Sequence, residues 1–211
     1  VKDALVENRQ LIQADGGNVI LTASAADALL QTVVNNEGVI QARTLGEKEG
    51  KIVLLGDFDG GTVQVAGTLD ASAADGGNGG FIDTSGAHVQ IAEGTTVTTK
   101  ATTGQTGTWL IDPTDFTVSA GSASQTTSGI GASTLSANLQ NTSITLQTVA
   151  GGSENGDINV NAAVSWSADT TLTLDAHGRI NVNKDITASG DNAALVLAYG
   201  NGYSLNQGAR I

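Results

Sequence analysis

Apolar and polar residues alternate along this chain in runs too short to close a core alone. In "GDINVNAAVSWSADTTLTLDA", residues 156–176, single polar residues separate Ile158 from Val160 and Leu172 from Leu174. That is the period of two of a strand with one buried face. The pattern is then written again. "GRINVNKDITASGDNAALVLA", residues 178–198, sets Gly178 against Gly156 at a spacing of 22, Ile180 against Ile158, Asn181 against Asn159, Val182 against Val160, Asn183 against Asn161 and Ile186 against Val164. With one residue inserted, Leu195 and Leu197 follow Leu172 and Leu174. An earlier copy, "TSITLQTVAGGSENGDINV", fits "TTLTLDAHGRINV" once GGSEN is taken as a longer loop.

A hairpin meander would also alternate, but strands of three to five residues with small side chains need a like neighbour stacked upon them. The repeat therefore predicts an all-β fold, a parallel β-solenoid wound from one chain with about 20–25 residues per coil. At about 4.8 Å per coil this makes about nine coils and a rod of roughly 45 Å. Asn159 over Asn181 and Asn161 over Asn183 are expected to form amide ladders. Positions that persist are read as facing inward or standing at turns, and those that drift as facing water.

The N-terminal half has the same grammar with looser spacing, in "GGNVILTA", "EGVIQAR", "GKIVLLG", "GTVQVAGTLDASA" and "GTWLIDPTDF". "SAADALLQTVVNN", residues 24–36, has helix-forming residues, and strand is expected for Leu29 to Val34. Residues 1–211 read as one continuous β-helix segment. Residues 119–140, rich in Ser, Gly and Thr, read as a loop or an excursion from the rod. Neither terminus has a polar cap, so the expectation is an internal piece of a longer rod.

Composition sharpens this picture. With 28 Gly, 3% aromatic residues, one Pro, no Cys and no Met, the core is thin and turns are frequent. A net charge of -12, with nine scattered basic residues, argues against nucleic acid and anionic membranes as partners. Without Cys there is no disulfide framework and no thiolate metal site. The opening VKDALVENRQ has no signal-peptide pattern, and no run approaches 18 apolar residues, so membrane insertion is not expected.

"GGFIDTSGAHVQIA" followed by "GTWLIDPTDFTVSA", with "LIQADGGNVILTASAADALLQTVVNNEGVIQART" and "GGTVQVAGTLDASAADGGNGG" before them, carries a family resemblance. These phrases resemble the large exoproteins of two-partner secretion, the filamentous haemagglutinin-like adhesins of Gram-negative bacteria, over nearly the whole chain. The resemblance implies a right-handed parallel β-helix, export through a dedicated outer-membrane partner pore, and a secreted or cell-surface role in adhesion, aggregation or biofilm matrix. The family's secretion-domain Asn-Pro-Asn motifs are missing, for the only proline is Pro113 in Asp-Pro-Thr. The segment thus resembles shaft, with host or matrix glycans and identical neighbours as partners along its length. Some adhesins of the family are glycosylated on Asn, and Asn141 in "NTS" fits a sequon.

Candidate chemistry is sparse. Asp57 and Asp59 in "GDFDGG" are the best calcium ligands, yet they lack an EF-hand loop and its terminal Glu. "DGGNGGFID", Asp75 to Asp83, does not repeat as calcium-binding nonapeptides do. Solvated turns are the plainer reading of both, and no cofactor is expected. A β-helical polysaccharide lyase or hydrolase is the alternative function, and it needs clustered acids. Asp83, Asp112, Asp115, Asp157 and Asp175 are spread over different coils, and His88 and His177 read as surface imidazoles. No enzyme is expected, and no catalytic residue is assigned. Trp109 is expected to plug the core. Trp166 stands where the next copy has Ala188 and, with Tyr199 and Tyr203, is a candidate aromatic contact for sugars.

Overall fold

The computed structural model describes residues 5–24, 32–206 and 208–211. The chain runs through β1 (Val6–Asn8), β2 (Leu11–Gln13), β3 (Asn18–Thr22), β4 (Thr32–Asn36), β5 (Val39–Gln41), β6 (Lys51–Leu55), β7 (Thr62–Val65), β8 (Thr68–Asp70), β9 (Phe81–Ser85), β10 (His88–Ile91), β11 (Thr96–Thr98) and β12 (Thr108–Asp112). It continues through β13 (Phe116–Ser119), β14 (Gly129–Gly131), helix α1 (Ala132–Asn138), β15 (Ser143–Thr148), β16 (Ile158–Val160), β17 (Val164–Trp166), β18 (Thr171–Ala176), β19 (Ile180–Val182), β20 (Ile186–Ala188), β21 (Ala194–Tyr199) and β22 (Tyr203–Leu205). Of the strand expected from Leu29, residues 29–31 lie outside the described residues.

Every pairing between named strands is parallel, and the strands fall into stacked sheets. Sheet I has nine strands, in the order β1-β4-β7-β10-β14-β13-β16-β19-β22. Sheet II has β2, β5, β8 and β11, and sheet III has seven strands from β3 to β21. Partners on neighbouring strands lie 28 residues apart near the N-terminus, as in Asn8 and Asn36, and 22 apart in Asn159 and Asn181. The internal copies read from the sequence are in register: Ile158 faces Ile180, Val164 faces Ile186, Leu172 faces Leu195 and Ile144 faces Leu172.

The core is a set of inward columns. One in sheet III runs Val19, Ile52, Ile82, Trp109, Ile144, Leu172 and Leu195, each beside the next. A parallel column holds Leu54, Thr84, Ile111, Leu146 and Leu174. Like stacked on like buries aliphatic surface without a bulky interior, which suits a chain poor in aromatics.

Residues 119–140 change the winding. The chain enters β13, then 120–128 turns back, and β14 inserts between β10 and β13. Sheet I thus carries two strands between β10 and β16, where sheet III carries only β15 between β12 and β18. The excursion is therefore half core, with Ile130, Leu135 and Leu139 fully buried. Helix α1 lies between β11 and β17. There Asn138 does the work of a missing strand: its Oδ1 accepts from Val97 N at 2.7 Å and its Nδ2 donates to Thr95 O at 3.0 Å. On the far side Ser136 Oγ accepts from Ser165 N at 3.1 Å. Strand-edge groups that burial would leave unpaired are thereby satisfied.

Candidate polar groove on sheet I

The outward faces of β7 and β10 form the floor of a groove. Alternation turns Val63, Val65, Val89 and Ile91 inward, and the residues between them outward. Register sets Thr62 beside His88 and Gln64 beside Gln90. Gln64 Nε2 donates to Gln90 Oε1 at 3.2 Å, and Gln90 Nε2 donates to Thr126 O at 2.9 Å. One wall is the loop 120–128, which exists because the chain doubles back to place β14. It is stitched down by Glu93 N to Ser124 Oγ at 2.8 Å and Val89 N to Ser128 Oγ at 3.2 Å. The other wall is the turn at Gly151–Glu154, where Glu154 Oε2 accepts from Thr114 Oγ1 and from Asp115 N.

The groove, open to solvent along its length, has a volume of about 600 Å³. Beyond His88 and Glu154 it opens into a recess of about 300 Å³ beside Phe58 and Ser153. Beyond Gln64 and Gln90 it opens into another of about 210 Å³ beside Asn35 and Glu37. Among the described residues no Lys or Arg lines any of the three. Ser128 and His88 do not form a nucleophile–base pair of the usual geometry: Ser128 Oγ stands 3.5 Å from His88 Nδ1 and accepts from Val89 N. Among the described residues no carboxylate is hydrogen-bonded to the His88 ring. His177 stands elsewhere, with its Nδ1 3.4 Å from Asn155 O.

The acids spread along the sequence come nearer in space than coil number implies. Asp83, Asp112 and Asp175 all face outward on sheet III. Burial, with the charges of Asp83 and Asp175, pushes Asp112 up to about 6. Its Oδ1 is buried without a hydrogen-bond partner among the described residues. Burial also raises Asp83, against a hydrogen bond from Ser85 Oγ and the charge of Lys51. Asp115 and Asp157 are structural, for each carboxylate accepts from a backbone N–H of the next coil, Asp157 N and Arg179 N, both at 2.7 Å.

Asp112 sets a pH dependence. The folded chain holds its proton to higher pH than the unfolded chain, so stability falls as pH rises from 3.8 towards about 6 and stays lower above that. Asp112→Asn is expected to raise stability at pH 7 by about 1 kcal/mol, a figure reduced for the half-exposed site, and to change little at pH 3. Denaturant melts at both pH values check this. An equal gain at the two would remove the proton from the explanation.

The remaining candidates fall into place. Asp57 is a turn residue: Oδ1 accepts from Asp59 N at 2.9 Å and Oδ2 from Ser24 Oγ at 2.5 Å, which lowers its pKa. No group of three or more His, Asp or Glu with metal-binding geometry occurs among the described residues. Trp109 is fully buried. Trp166 is corrected: it is 2% exposed, with Nε1 donating to Thr170 O at 3.1 Å, so it offers no platform for a sugar. Its neighbour Ala188 is small, which leaves room for an inward indole rather than forcing it out. Tyr199 and Tyr203 are exposed, with ring centres 5.4 Å apart, but they stand on the columns of Ala176 and Ile180, whose side chains face the core. Their exposure belongs to the last rung, not to a lateral face.

The Asn ladders form: Asn181 Nδ2 donates to Asn159 Oδ1 at 2.9 Å and Asn183 Nδ2 to Asn161 Oδ1 at 2.6 Å. They lie on the outer surface, so the reading of persistent positions as inward or at turns holds for Ile158, Val160, Ile180 and Val182, which are buried, and is corrected for the Asn residues. Ser204 Oγ extends the first, donating to Asn181 Oδ1 at 3.0 Å, and Asn206 extends the second. Asn141, the sequon residue, is half-buried just after α1. Comparison with protein-family models, with curated proteins and with solved structures gives no match.

Proposed function

We propose that this chain is a stretch of the shaft of a secreted bacterial surface adhesin or biofilm-matrix protein of the two-partner secretion type, wound as a right-handed β-helix. The expected 20–25 residues per coil fits only the last turns, where Ile158 pairs with Ile180 and Leu172 with Leu195; earlier coils are longer, as in Ile52 with Ile82 and Trp109 with Ile144, their loops being enlarged. The observation that supports this best is the unbroken parallel stacking of sheet III through seven strands, like over like. Such an arrangement extends by repetition and carries mechanical reach rather than an enclosed reaction site. The partner pore, acting through a region outside this chain, the surface location and the self-association of neighbouring shafts belong to the same proposal. Two measurements test it. Scattering from the purified chain should give an elongated particle, and antibodies against it should label intact source cells and lose that label when the pore gene is deleted. A globular profile, or label confined to broken cells, would overturn the reading.

A glycan-cleaving enzyme is the second reading, favoured by the raised Asp112 beside Asp83 and Asp175. Against it, none of these acids lines the sheet I groove. A general acid must touch the bond it protonates. Release of reducing or unsaturated ends from pectin, alginate or host glycans, abolished by Asp112→Asn, would establish it over the shaft.

A further inference from the structure

The geometry points to the sheet I groove as a binding site for a neutral oligosaccharide chain, lying along β7 and β10 between the loop 120–128 and the turn at Gly151–Glu154. The inference deepens the shaft proposal, which supplies the extracellular setting, but its chemistry is that of the groove. A space of about 600 Å³ lies inside the range of ligand clefts, about 300–1,000 Å³.

Three properties select the ligand. First, the floor presents the amides of Gln64 and Gln90 and the imidazole of His88, and the loop wall the hydroxyls of Thr126 and Thr127, groups that both donate and accept. Gln90 is held at both ends of its amide, by Gln64 and by Thr126 O, so its rotamer is set before anything binds. Gln64 Oε1 accepts no hydrogen bond from the described residues and remains for a ligand hydroxyl. Second, no Lys or Arg among the described residues lines the groove, while Glu154 stands in one wall and the chain carries a net charge of -12, so phosphorylated or carboxylated polymers are disfavoured. Third, the floor is a sheet face, not an edge. β7 is paired on both sides, by β4 and β10, and β10 is paired by β7 on one side and covered on the other by β14 and the loop 120–128, so an added peptide strand has no free edge to pair with.

An apolar ligand fits no better, since every side chain that lines the groove carries a hydrogen-bonding group. A pyranose chain offers what remains: rows of equatorial hydroxyls for the amides, and C–H faces for the one aromatic ring nearby. That ring is Phe58, 43% exposed beside the recess past His88. Sugar faces pack on such rings.

The test uses the purified chain and neutral hexasaccharides of glucose and of N-acetylglucosamine, with oligogalacturonate as the anionic control. Titration calorimetry should give binding to at least one neutral hexamer and at least tenfold weaker binding to the anion. Gln64→Ala with Gln90→Ala should weaken the neutral ligand tenfold or more, with the thermal melt within a few degrees of the parent. A second readout needs no variant: the His88 ring resonances, assigned by His88→Gln, should shift on binding while those of Tyr199 and Tyr203 stay still. Absence of binding to every neutral hexamer, preference for the anion, or binding with His88 unmoved would overturn the groove. Cell-surface labelling would still stand in that case, so failure here is separable from failure of the shaft proposal.

Discussion

Gly80→Ala is expected to destabilise the stack by about 4 kcal/mol or more, into the range reached only when backbone must move. Four glycines stand where loops enter sheet III, and the carbonyl of each accepts from the first residue of the next coil's strand. Lys51 N donates to Gly17 O, Phe81 N to Gly50 O, Thr108 N to Gly80 O and Ser143 N to Gly107 O, at 3.0 to 3.3 Å. Stacking then brings the α-carbons of Gly80 and Gly107 against the carbonyl of the glycine beneath. A Cβ on Gly80 would sit 2.1 Å from Gly50 O, and one on Gly107 1.9 Å from Gly80 O. These are contacts with backbone, so no side-chain rotation relieves them, and separating the coils breaks the ladder on both sides. Gly94 is the internal control. Its φ is +73° with nothing within 4 Å of the added carbon, so Gly94→Ala should lose only about 1–2 kcal/mol, the left-handed penalty for an L-residue. Urea melts of both variants read the contrast. A Gly80→Ala loss no larger than that of Gly94→Ala would mean the coils can part without harm.

That difference explains what was legible in the sequence. A period of two and a repeat of 22 fix strand type and register where coils are short, because Ile158 and Ile180 or Leu172 and Leu195 must meet if anything stacks. The insertion of β14 beneath β13 leaves no such trace. "FTVS" and "GIG" are as short and apolar as any other strand, and order within a sheet is not a local property. Helix α1 was hidden for a related reason: Ser133, Thr134, Ser136 and Asn138 are weak helix formers, and Asn138 earns its place only through Thr95 and Val97, more than forty residues earlier in the chain. The acids misled through distance along the chain. One coil of separation is one strand spacing in space, so Asp83 and Asp112 are electrostatic neighbours. The groove was missed because Gln64 and Gln90, 26 residues apart, lie in the half where loops vary and no repeat aligns them. Once strands are placed, the alternation that buries Val63 and Val89 also turns these amides outward.

Trp109→Ala is expected to remove about 3–5 kcal/mol, the range for truncating a fully buried large aromatic. The indole fills the sheet III column between Ile82 and Ile144, and the position beside Ile82's neighbour is cut down to match it: Thr84 interrupts a row of leucines and isoleucines. Its hydroxyl accepts from Trp109 Nε1 at 3.0 Å and donates to Leu110 O at 3.3 Å, so the polar edge of the ring is satisfied inside an apolar wall. Two milder variants separate volume from hydrogen bonding. Trp109→Phe keeps a ring in the column, and Thr84 keeps its bond to Leu110 O, so the loss should be about 1–2 kcal/mol. Thr84→Val strands the indole N–H in the interior and should lose about 1–3 kcal/mol. Combining the two should lose less than their sum, because the second change no longer leaves an unpaired donor. Chemical denaturation of the four proteins completes the cycle, and strict additivity would show that the pair is not coupled. With only 3% aromatic residues, the coils above and below hold aliphatic side chains that each bury little. Truncation of this one ring should therefore exceed the loss from Leu174→Ala, whose column remains filled by Leu146 and Leu197.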